Sequence, residues 1–434
     1  MVSDFLILSV GKTRVAENTQ HTPPMNGTTS LSRHDALPAP LAQALGIAEH
    51  YGFVSLEERY RAARAERREV RSADKRRWLA PIPRPTPQTS REDNSAIISC
   101  LTSGVLSPLS PPALLYRYLR DGKDRKNIGR RGAYTLRLEV FGMKDALGEA
   151  LLIRAASAIL DELKQGGVII HINSAGDRET AGRFFRELAF YYHRYADQLA
   201  PCCRARVGEN LLSLVRCTSE RCSEVRENAP KSISYLHDSH RRHLKEVLEY
   251  LEGMDIPYTI DEAIIDPELN FAATVFELRP ALTTDAQEKE TLGYGGRYEG
   301  LARRTGIRGA LSGAALSLTI APEHAHSRAA AVPRPLSPRI LFIQLGADAL
   351  RRGLVVLELL RRARIPVLQA LGSHSLSEQV VRAERESIPY TVIIGHREAL
   401  DGTAIVRNTA TRSQETIPVS LLPRYFKSSA RIRF

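Results

Sequence analysis

The chain has 434 residues, of which 43% are hydrophobic and 25% are charged. It is therefore long enough for two or three domains and has the composition of an ordinary globular protein. It contains no run of about 18 apolar residues, so we predict no membrane-spanning helix and no membrane partner. Its first 20 residues lack the apolar centre of a signal peptide. Its five cysteines are an odd and sparse set, typical of a reducing compartment, and we expect a cytoplasmic protein.

The net charge of +12 is concentrated in two segments. Residues 339–434 contain 15 Lys and Arg against 8 Asp and Glu, and residues 54–91 contain 11 against 5. Basic segments attract phosphate backbones, chiefly because binding releases counterions. We therefore expect a partner with a phosphate backbone, although either segment taken alone is also compatible with a solvated basic face.

The N-terminal quarter of the chain shows little regular pattern. Residues 1–33 are polar and without a sustained period, which predicts a disordered tail. Residues 41–52 predict a short helix that ends at a glycine. From about residue 59 to residue 112 an arginine-rich helical pattern gives way to prolines and serines, which predicts an irregular insertion.

From residue 113 the pattern alternates between strands and helices, and the predicted fold class is α+β. Apolar periodicity predicts strands at 114–118, 134–141, 167–172, 257–261, 273–278 and 311–320, and helices at 146–163, 177–195 and 239–252. Either Asp177 or Thr180 is expected to cap the second of these helices. Strands flanked by helices in this way favour an antiparallel sheet with helices packed against it.

A glycine-rich segment follows at residues 291–301, TLGYGGRYEGL. Its glycines would let the backbone approach another group closely, because glycine has no Cβ. Arg297 and Tyr298 add a guanidinium and a phenol beside that backbone. The spacing fits a glycine turn between two strands that line a small-molecule pocket, and it fits equally a hairpin whose glycines serve only the turn.

The C-terminal part has its own pattern. Residues 322–338 are rich in proline and alanine and are predicted to be a linker. Beyond them, strands alternate with helices, which predicts a mostly parallel α/β sheet. The predicted strands are 340–345, 367–371, 390–394 and 403–407, and the predicted helices are 349–364 and 377–386.

Several segments resemble one family when they are taken in chain order. GGRYEGL at 295–301 is similar to the GGRYDGL signature of histidyl-tRNA synthetases. Residues 138–150, 172–180 and 273–278 resemble further segments of that family, and residues 392–408 resemble the end of its anticodon-binding domain. The proline-containing strand of motif 1 is not recognisable.

This resemblance implies a class II synthetase-like core over residues 34–321 and an anticodon-binding-like α/β domain over residues 339–434. It also implies tRNA or another RNA as a partner, and a homodimer. Histidine becomes a candidate small-molecule ligand. ATP and Mg²⁺ would be cofactors if the chain is active.

The resemblance also implies where the chemistry would lie. Enzymes of this family need cations near the phosphates of ATP, where negative charge builds up. Motif 2 is blurred to LRDGKDRKNIGRRGAY, in which Arg120 and Arg131 are the candidate catalytic arginines and Arg130 is a further possibility. The expected ligand-binding residues are Gly295, Gly296, Arg297, Tyr298 and Phe271.

Four positions depart from the family pattern. In motif 3, Ser317 and Ala321 replace glycines and His324 replaces an arginine. A histidine is mostly neutral near pH 7 and lacks the forked, permanent charge of arginine. Asp266 stands where the family has an arginine against ATP, and a carboxylate there would repel a triphosphate.

We therefore expect a protein that binds tRNA but has lost or impaired aminoacylation. One alternative is an active histidine–tRNA ligase that uses Arg120 or Arg131 together with Arg297. Another is a histidine-sensing regulatory subunit of ATP phosphoribosyltransferase, a relative that usually lacks the C-terminal domain.

The remaining chemistry-bearing side chains receive simpler interpretations. Adjacent Cys202 and Cys203, with Cys217 and Cys222 further on, are poorly spaced for zinc, so no metal site is predicted. His237, His240 and His243 are expected on a solvated helix face. The predicted RNA-binding residues are Arg351, Arg352, Arg361, Arg362, Arg397 and Arg407.

Overall fold

The computed structural model describes residues 37–61, 112–120, 133–266, 271–281, 291–298, 312–321, 338–371 and 375–428. The predicted tail at 1–33, most of the insertion at 59–112 and nearly all of the linker at 322–338 lie outside the described residues. Arg130, Arg131 and His324 lie outside them as well.

The larger sheet has eight strands in the order β1-β2-β3-β8-β7-β6-β4-β5. Neighbours from β2 through to β4 run antiparallel, and only the outermost pairs, β1 with β2 and β4 with β5, are parallel. The strands are β1 (Val54–Ser55), β2 (Ala113–Arg120), β3 (Tyr134–Phe141), β4 (Val168–Asn173), β5 (Tyr258–Ile260), β6 (Phe271–Pro280), β7 (Gly293–Tyr298) and β8 (Gly313–Ile320). The predicted α+β fold class is confirmed.

The two faces of this sheet differ in chemistry because successive side chains of a strand point to opposite sides. In β3, Leu136, Leu138 and Val140 belong to the main hydrophobic core. That core is completed by α1 (Ala39–His50), α2 (Leu147–Glu162) and α7 (Asp238–Gly253). The opposite side of β3 carries Thr135, Arg137 and Glu139, and we call this side of the sheet the polar face.

A helical unit lies in the chain between β4 and β5. It contains α3 (Arg178–Arg194), α4 (Pro201–Arg204), α5 (Leu211–Val215) and α6 (Ser223–Glu227), followed by the longer α7. The carboxylate of Asp177 caps α3, because its Oδ1 accepts a hydrogen bond from the Thr180 amide at 2.8 Å. Of the two predicted caps, Asp177 is therefore confirmed. The short helices share a small core that is separate from the main one.

The C-terminal sheet has the order β10-β9-β11-β12-β13. Its elements are β9 (Ile340–Gln344), α8 (Ala347–Arg362), β10 (Val367–Gln369), α9 (Leu376–Arg385), β11 (Tyr390–Ile394), α10 (His396–Asp401), β12 (Thr403–Asn408), β13 (Gln414–Pro418) and α11 (Leu422–Ser428). Only the β10–β9 and β9–β11 pairings are parallel, so the prediction of a mostly parallel sheet is wrong. The strand β13 was not predicted, because most of its side chains are exposed and it carries no clear apolar alternation.

The two sheets are joined through α8, which packs on α2 and α7. Hydrogen bonds from the end of α1 also join the two parts. The Tyr51 hydroxyl donates to Glu358 Oε2 at 2.6 Å, the His50 ring to the carbonyl of Leu357 at 3.0 Å, and the Gln369 amide to the carbonyl of Tyr51 at 3.1 Å. Among the helices of the described ranges, none is both long and apolar enough to cross a bilayer.

Candidate functional site

The glycine-rich segment is a strand and not a turn. Gly293–Tyr298 forms β7, which is hydrogen-bonded between β6 and β8, so the predicted glycine turn is wrong. A Cβ on Gly295 would lie 2.3 Å from the Ala315 carbonyl oxygen, and one on Gly296 would lie 2.3 Å from the Thr274 carbonyl oxygen. The two glycines therefore allow the neighbouring strands to approach closely. A role for them in ligand binding stays a prediction.

Arg297 points to the core side of the sheet, where protein groups surround its guanidinium. Its Nε donates to Glu149 Oε1 at 2.7 Å, and its Nη2 donates to the second oxygen of the same carboxylate. Further donor bonds go to the carbonyl of Met143 at 2.9 Å, the carbonyl of Asp145 at 2.7 Å and the hydroxyl of Ser312 at 2.5 Å, and Nε also lies 3.2 Å from Nε2 of His243. This geometry ties the motif arginine to the loop and helix that follow β3.

Glu149 is fully buried in α2 and is the acceptor on which this network depends. It also accepts hydrogen bonds from Thr274 Oγ1 at 2.8 Å and from the His243 ring at 2.7 Å. Burial opposes its charge, but Arg297 and His243 outweigh burial and hold the pKa of Glu149 at about 2. The expectation of a solvated face is therefore wrong for His243, because a buried carboxylate attracts its ring inward.

Tyr298 points the other way, onto the polar face. Its ring centroid lies 5.1 Å from that of Phe271 and 6.3 Å from that of Phe141. Asp266 is buried beside this aromatic group, and its Oδ2 accepts a hydrogen bond from the Phe271 amide at 2.9 Å. The structure thus gathers three of the predicted positions, Asp266, Phe271 and Tyr298, on one side of the sheet, away from Arg297.

Arg137 and Glu139 occupy the centre of the polar face and were missed by the sequence predictions. Arg137 donates to Glu139 Oε1 at 2.9 Å, to the hydroxyl of Ser317 at 3.1 Å and to the hydroxyl of Tyr298 at 2.5 Å. Arg117 approaches Glu139 Oε2 at 3.5 Å. Two charged residues two positions apart in an otherwise apolar strand were the available signal, since residues i and i+2 share a face.

The charges of this cluster are strongly coupled. Arg137 is 5% exposed and Glu139 is 0% exposed, so both are removed from water. Burial would raise the pKa of Glu139, but Arg117 and Arg137 outweigh it and lower that pKa. Burial raises the pKa of Tyr298 to about 12, against the opposing effect of Arg137. The guanidinium groups of Arg117 and Arg137 therefore share the single carboxylate of Glu139.

A second polar cluster lies on the same face towards β4. Arg279 donates to Asp261 Oδ2 at 2.9 Å and to Glu277 Oε2 at 2.6 Å, and the ring of His171 lies 3.2 Å from Asp261 Oδ2. Two carboxylates therefore share one guanidinium in this cluster, which links β4, β6 and the segment after β5.

The other predicted catalytic positions lie at the margins of the described structure. Arg120 is the last residue of β2 and is exposed. Ser317 lies within β8 as a hydrogen-bond partner of Arg137, and Ala321 is exposed directly after β8. The catalytic role of Arg120 and Arg131 stays a prediction.

The predicted RNA-binding arginines fall into two groups. Arg361 is only 11% exposed and lies between Glu358 at 2.8 Å and Glu162 at 3.1 Å, so it contributes to the contact between the two sheets. Arg397 is 88% exposed, with Asp401 3.5 Å away. Arg351 and Arg362 also have exposed side chains, and each forms an ion pair with a carboxylate, at 3.2 and 2.7 Å respectively. Arg352 is exposed and Arg407 is half-buried. RNA binding by any of them stays a prediction.

The cysteines of the helical unit are closer together than their spacing suggested. The sulfurs of Cys203, Cys217 and Cys222 lie within 4.8 Å of one another. Burial opposes ionisation of Cys222, but the amide hydrogen bond from Ala200 and the neighbouring thiols outweigh it, and the pKa of Cys222 is lowered. The cysteine spacing therefore does not keep the thiols apart, as the sequence argument against zinc assumed. The absence of a metal stays a prediction.

Known proteins resemble both parts of the chain. Residues 340–429 match the family model described as an anticodon binding domain. The chain is 30% identical to a histidine–tRNA ligase of Halothermothrix orenii over 310 residues, which cover 71% of this chain and 72% of the relative. It is 29% identical to a histidine–tRNA ligase of Dehalococcoides mccartyi over 327 residues, 74% of this chain and 77% of the relative.

Solved structures add a weaker likeness. The crystal structure of the apo histidyl-tRNA synthetase of S. aureus covers 78% of this chain and 83% of its own, at 20% identity and a TM-score of 0.40. The family assignment therefore rests on the sequence relatives alone.

Proposed function

Because this chain belongs to the histidyl-tRNA synthetase family, we propose that it binds tRNA and that its ability to charge tRNA with histidine is lost or strongly impaired. The loss of charging is supported by the burial of Arg137 on the polar face, where it contacts Glu139, Ser317 and Tyr298. The Arg137 guanidinium is thus already hydrogen-bonded to protein groups, which leaves fewer of its donors available to a substrate anion.

The placement of charge supports impaired catalysis. Amino-acid activation requires cations that stabilise negative charge on the phosphates of ATP. In the described part of the chain, the guanidinium of Arg297 is bound by Glu149 and that of Arg137 by Glu139. Asp266 adds a buried carboxylate beside the aromatic group of the polar face. Of the two candidate catalytic arginines, Arg120 lies within the described residues and is exposed.

The match of residues 340–429 and the excess of basic residues beyond residue 339 support tRNA as the partner. Exposed arginines there would contact phosphates, and such contacts release counterions. We further propose a cytoplasmic homodimer that takes histidine as a small-molecule ligand.

Two alternative functions within the same family can be distinguished from the proposed one by experiment. The relatives that carry the name histidine–tRNA ligase favour an active enzyme, which would depend on Arg120 or Arg131 and on ATP with Mg²⁺. A regulatory subunit of ATP phosphoribosyltransferase is less favoured, because the chain has the matched C-terminal region.

The first experiment measures histidine-dependent exchange of pyrophosphate into ATP by the purified full chain. The proposal predicts exchange no faster than without histidine, together with measurable binding of tRNA in a filter assay. Exchange at the rate of a working synthetase would overturn the claim of lost charging. The absence of tRNA binding at low salt would overturn the claim of a tRNA-binding protein.

The second experiment locates the tRNA contact by substitution. Removing residues 339–434 would strip α8 from α2 and expose the core, so point variants are the better choice. Alanine at Arg352, Arg397 and Arg407 should weaken tRNA binding and reduce the salt dependence by about 0.7–0.9 per lost phosphate contact. The matched control replaces exposed Arg178, Arg206 and Arg221 of the helical unit. Equal weakening by both triple variants would contradict a C-terminal tRNA site.

A further inference from the structure

The helical unit between β4 and β5 consists largely of short helices around a small core. After α3 its helices are only 4, 5 and 5 residues long. Isolated helices of this length are unstable in water, and small cores need a disulfide, a metal or a large apolar area to hold them. Its core includes two cysteines, Cys203 and Cys222, among the buried side chains.

Thiols from three separate elements of this unit meet at one point. Cys203 lies in α4, Cys217 follows α5, and Cys222 ends the turn before α6. The sulfurs of Cys203 and Cys217 are 3.2 Å apart, and all three sulfurs fall within 4.8 Å of one another. In a tetrahedral zinc site with Zn–S bonds of about 2.3 Å, neighbouring sulfurs are about 3.8 Å apart. Small side-chain adjustments would therefore bring the three sulfurs to zinc-binding distances.

Backbone amides are aimed at two of the sulfurs. The Ala200 amide donates to Cys222 Sγ at 3.3 Å, and the Ser219 amide donates to Cys217 Sγ at 3.4 Å. Hydrogen bonds of this kind stabilise sulfur that carries negative charge, as in a metal-bound thiolate. A purely apolar role would account for buried cysteines, but it does not account for three converging thiols with amide donors.

A fourth thiol is within reach. Cys202 is exposed, and its sulfur lies 4.0 Å from that of Cys203. Residues 201–226 also contain five arginines against three glutamates, which would offset the negative charge of a thiolate cluster. We propose that Cys203, Cys217 and Cys222, with Cys202 as the fourth ligand, form a structural zinc site that holds the short helices of this unit together.

Binding would release the thiol protons to solvent as the sulfurs become thiolates, and no oxidant or reductant is required. The competing state of the same residues is a disulfide between Cys203 and Cys217. The two states differ in metal content and in mass, which makes them separable by measurement.

The test uses the full chain expressed with added zinc and purified under reducing conditions without chelators. Elemental analysis should find about one zinc ion per chain, the stoichiometry of a single tetrahedral site. Cobalt exchanged into the protein should give the charge-transfer and d–d absorption bands of tetrahedral thiolate coordination. No zinc or cobalt bound after reconstitution, or an intact mass that reports a disulfide under the same reducing conditions, would overturn the proposal.

Variants separate coordination from folding. Cys217→Ser changes a half-buried position and should lose the zinc and the cobalt spectrum. Val225→Ala, in the same small core, should lower stability but keep the metal because valine supplies no ligand atom. Cys202→Ser should bind zinc more weakly, and unchanged affinity would overturn the four-thiolate form of the site. Full zinc content in Cys217→Ser would overturn the site as a whole.

Discussion

The guanidinium of Arg297 makes a forked contact with Glu149, a carboxylate that solvent does not reach. Burying two opposite charges is costly, but removing one of them leaves the other without compensation. Arg297 therefore contributes to the fold independently of any ligand. The glycine-rich signature preserves that contribution whether or not the protein retains catalysis.

Replacing Arg297 tests this structural role. We expect Arg297→Ala to lower the free energy of unfolding by about 3–5 kcal/mol, because Glu149 would stay buried beside a single histidine. Urea unfolding measures the change, and exposed Arg178→Ala should alter it by less than about 0.5 kcal/mol. A stable Arg297→Ala variant would show that the network is dispensable for folding.

Acid titration tests the charge of Glu149. Its pKa is held at about 2, below the ordinary value of 4.5. The unfolded chain therefore takes up this proton first, so the stabilising effect is fully present above pH 4.5 and is lost as the pH falls through about 2. At about 1.4 kcal/mol per pKa unit, roughly 3 kcal/mol is involved.

The pH dependence of unfolding free energy checks this expectation in wild type and in Glu149→Gln. The glutamine variant should be less stable near neutral pH and should show a flatter acid limb. Parallel acid limbs in the two proteins would mean that other carboxylates dominate.

At the scale of elements, β7 is a central strand that contains three glycines in six residues. Glycine weakens a strand interior unless close approach of another group requires it. Here the carbonyl oxygens of Ala315 and Thr274 occupy the space that side chains would take. The same strand places Arg297 on the core side and Tyr298 on the polar face, so β7 connects two networks on opposite sides of the sheet.

Alanine at Gly295 should therefore be poorly tolerated. We expect Gly295→Ala to destabilise the protein by about 1–3 kcal/mol or more, the usual cost of overpacking. Gly253→Ala is the matched control, since nothing lies within 4 Å of its added Cβ at the end of α7. The control should be neutral or stabilising by up to about 1 kcal/mol. Similar thermal unfolding of the two variants would contradict the close packing of β7.

At the scale of the whole molecule, the C-terminal sheet is held to the core by buried polar groups as well as by apolar packing. Glu358 of α8 accepts a hydrogen bond from the Tyr51 hydroxyl, and Arg361 bridges Glu358 and Glu162. The His50 ring contacts α8 at the Leu357 carbonyl. These contacts fix the position of the C-terminal sheet relative to the polar face.

His50 makes this connection sensitive to pH. Burial lowers the pKa of His50 from 6.5 to about 4, so the folded protein keeps the ring neutral where the unfolded chain protonates it. Its contribution is therefore fully present above pH 6.5 and is lost as the pH falls through about 4. We expect His50→Gln, which can still donate to the carbonyl, to flatten the stability profile between these two values. The free energy of unfolding of both proteins should be measured across that pH range. Identical profiles would show that His50 does not cause the pH dependence.

Local patterning predicted much of the fold. Strands such as Tyr134–Phe141 and Tyr390–Ile394 and helices such as Leu147–Glu162 follow from apolar periodicity, because each element buries one side. The family signature, including residues 295–298, was also readable directly. Strand β13 was not, because its exposed side chains leave no alternation to read.

Sequence alone thus determined the α+β class, the order of most elements and the family, since these depend on short-range patterns and on residue identity. Only the tertiary structure decided that Gly293–Tyr298 is a central strand, that Arg297 and Tyr298 serve opposite faces, and that Arg137 meets Glu139 and Tyr298. It likewise brought Cys203, Cys217 and Cys222 together. These features arise from contacts between residues far apart in the chain, and no local period encodes which distant group will fill a given space.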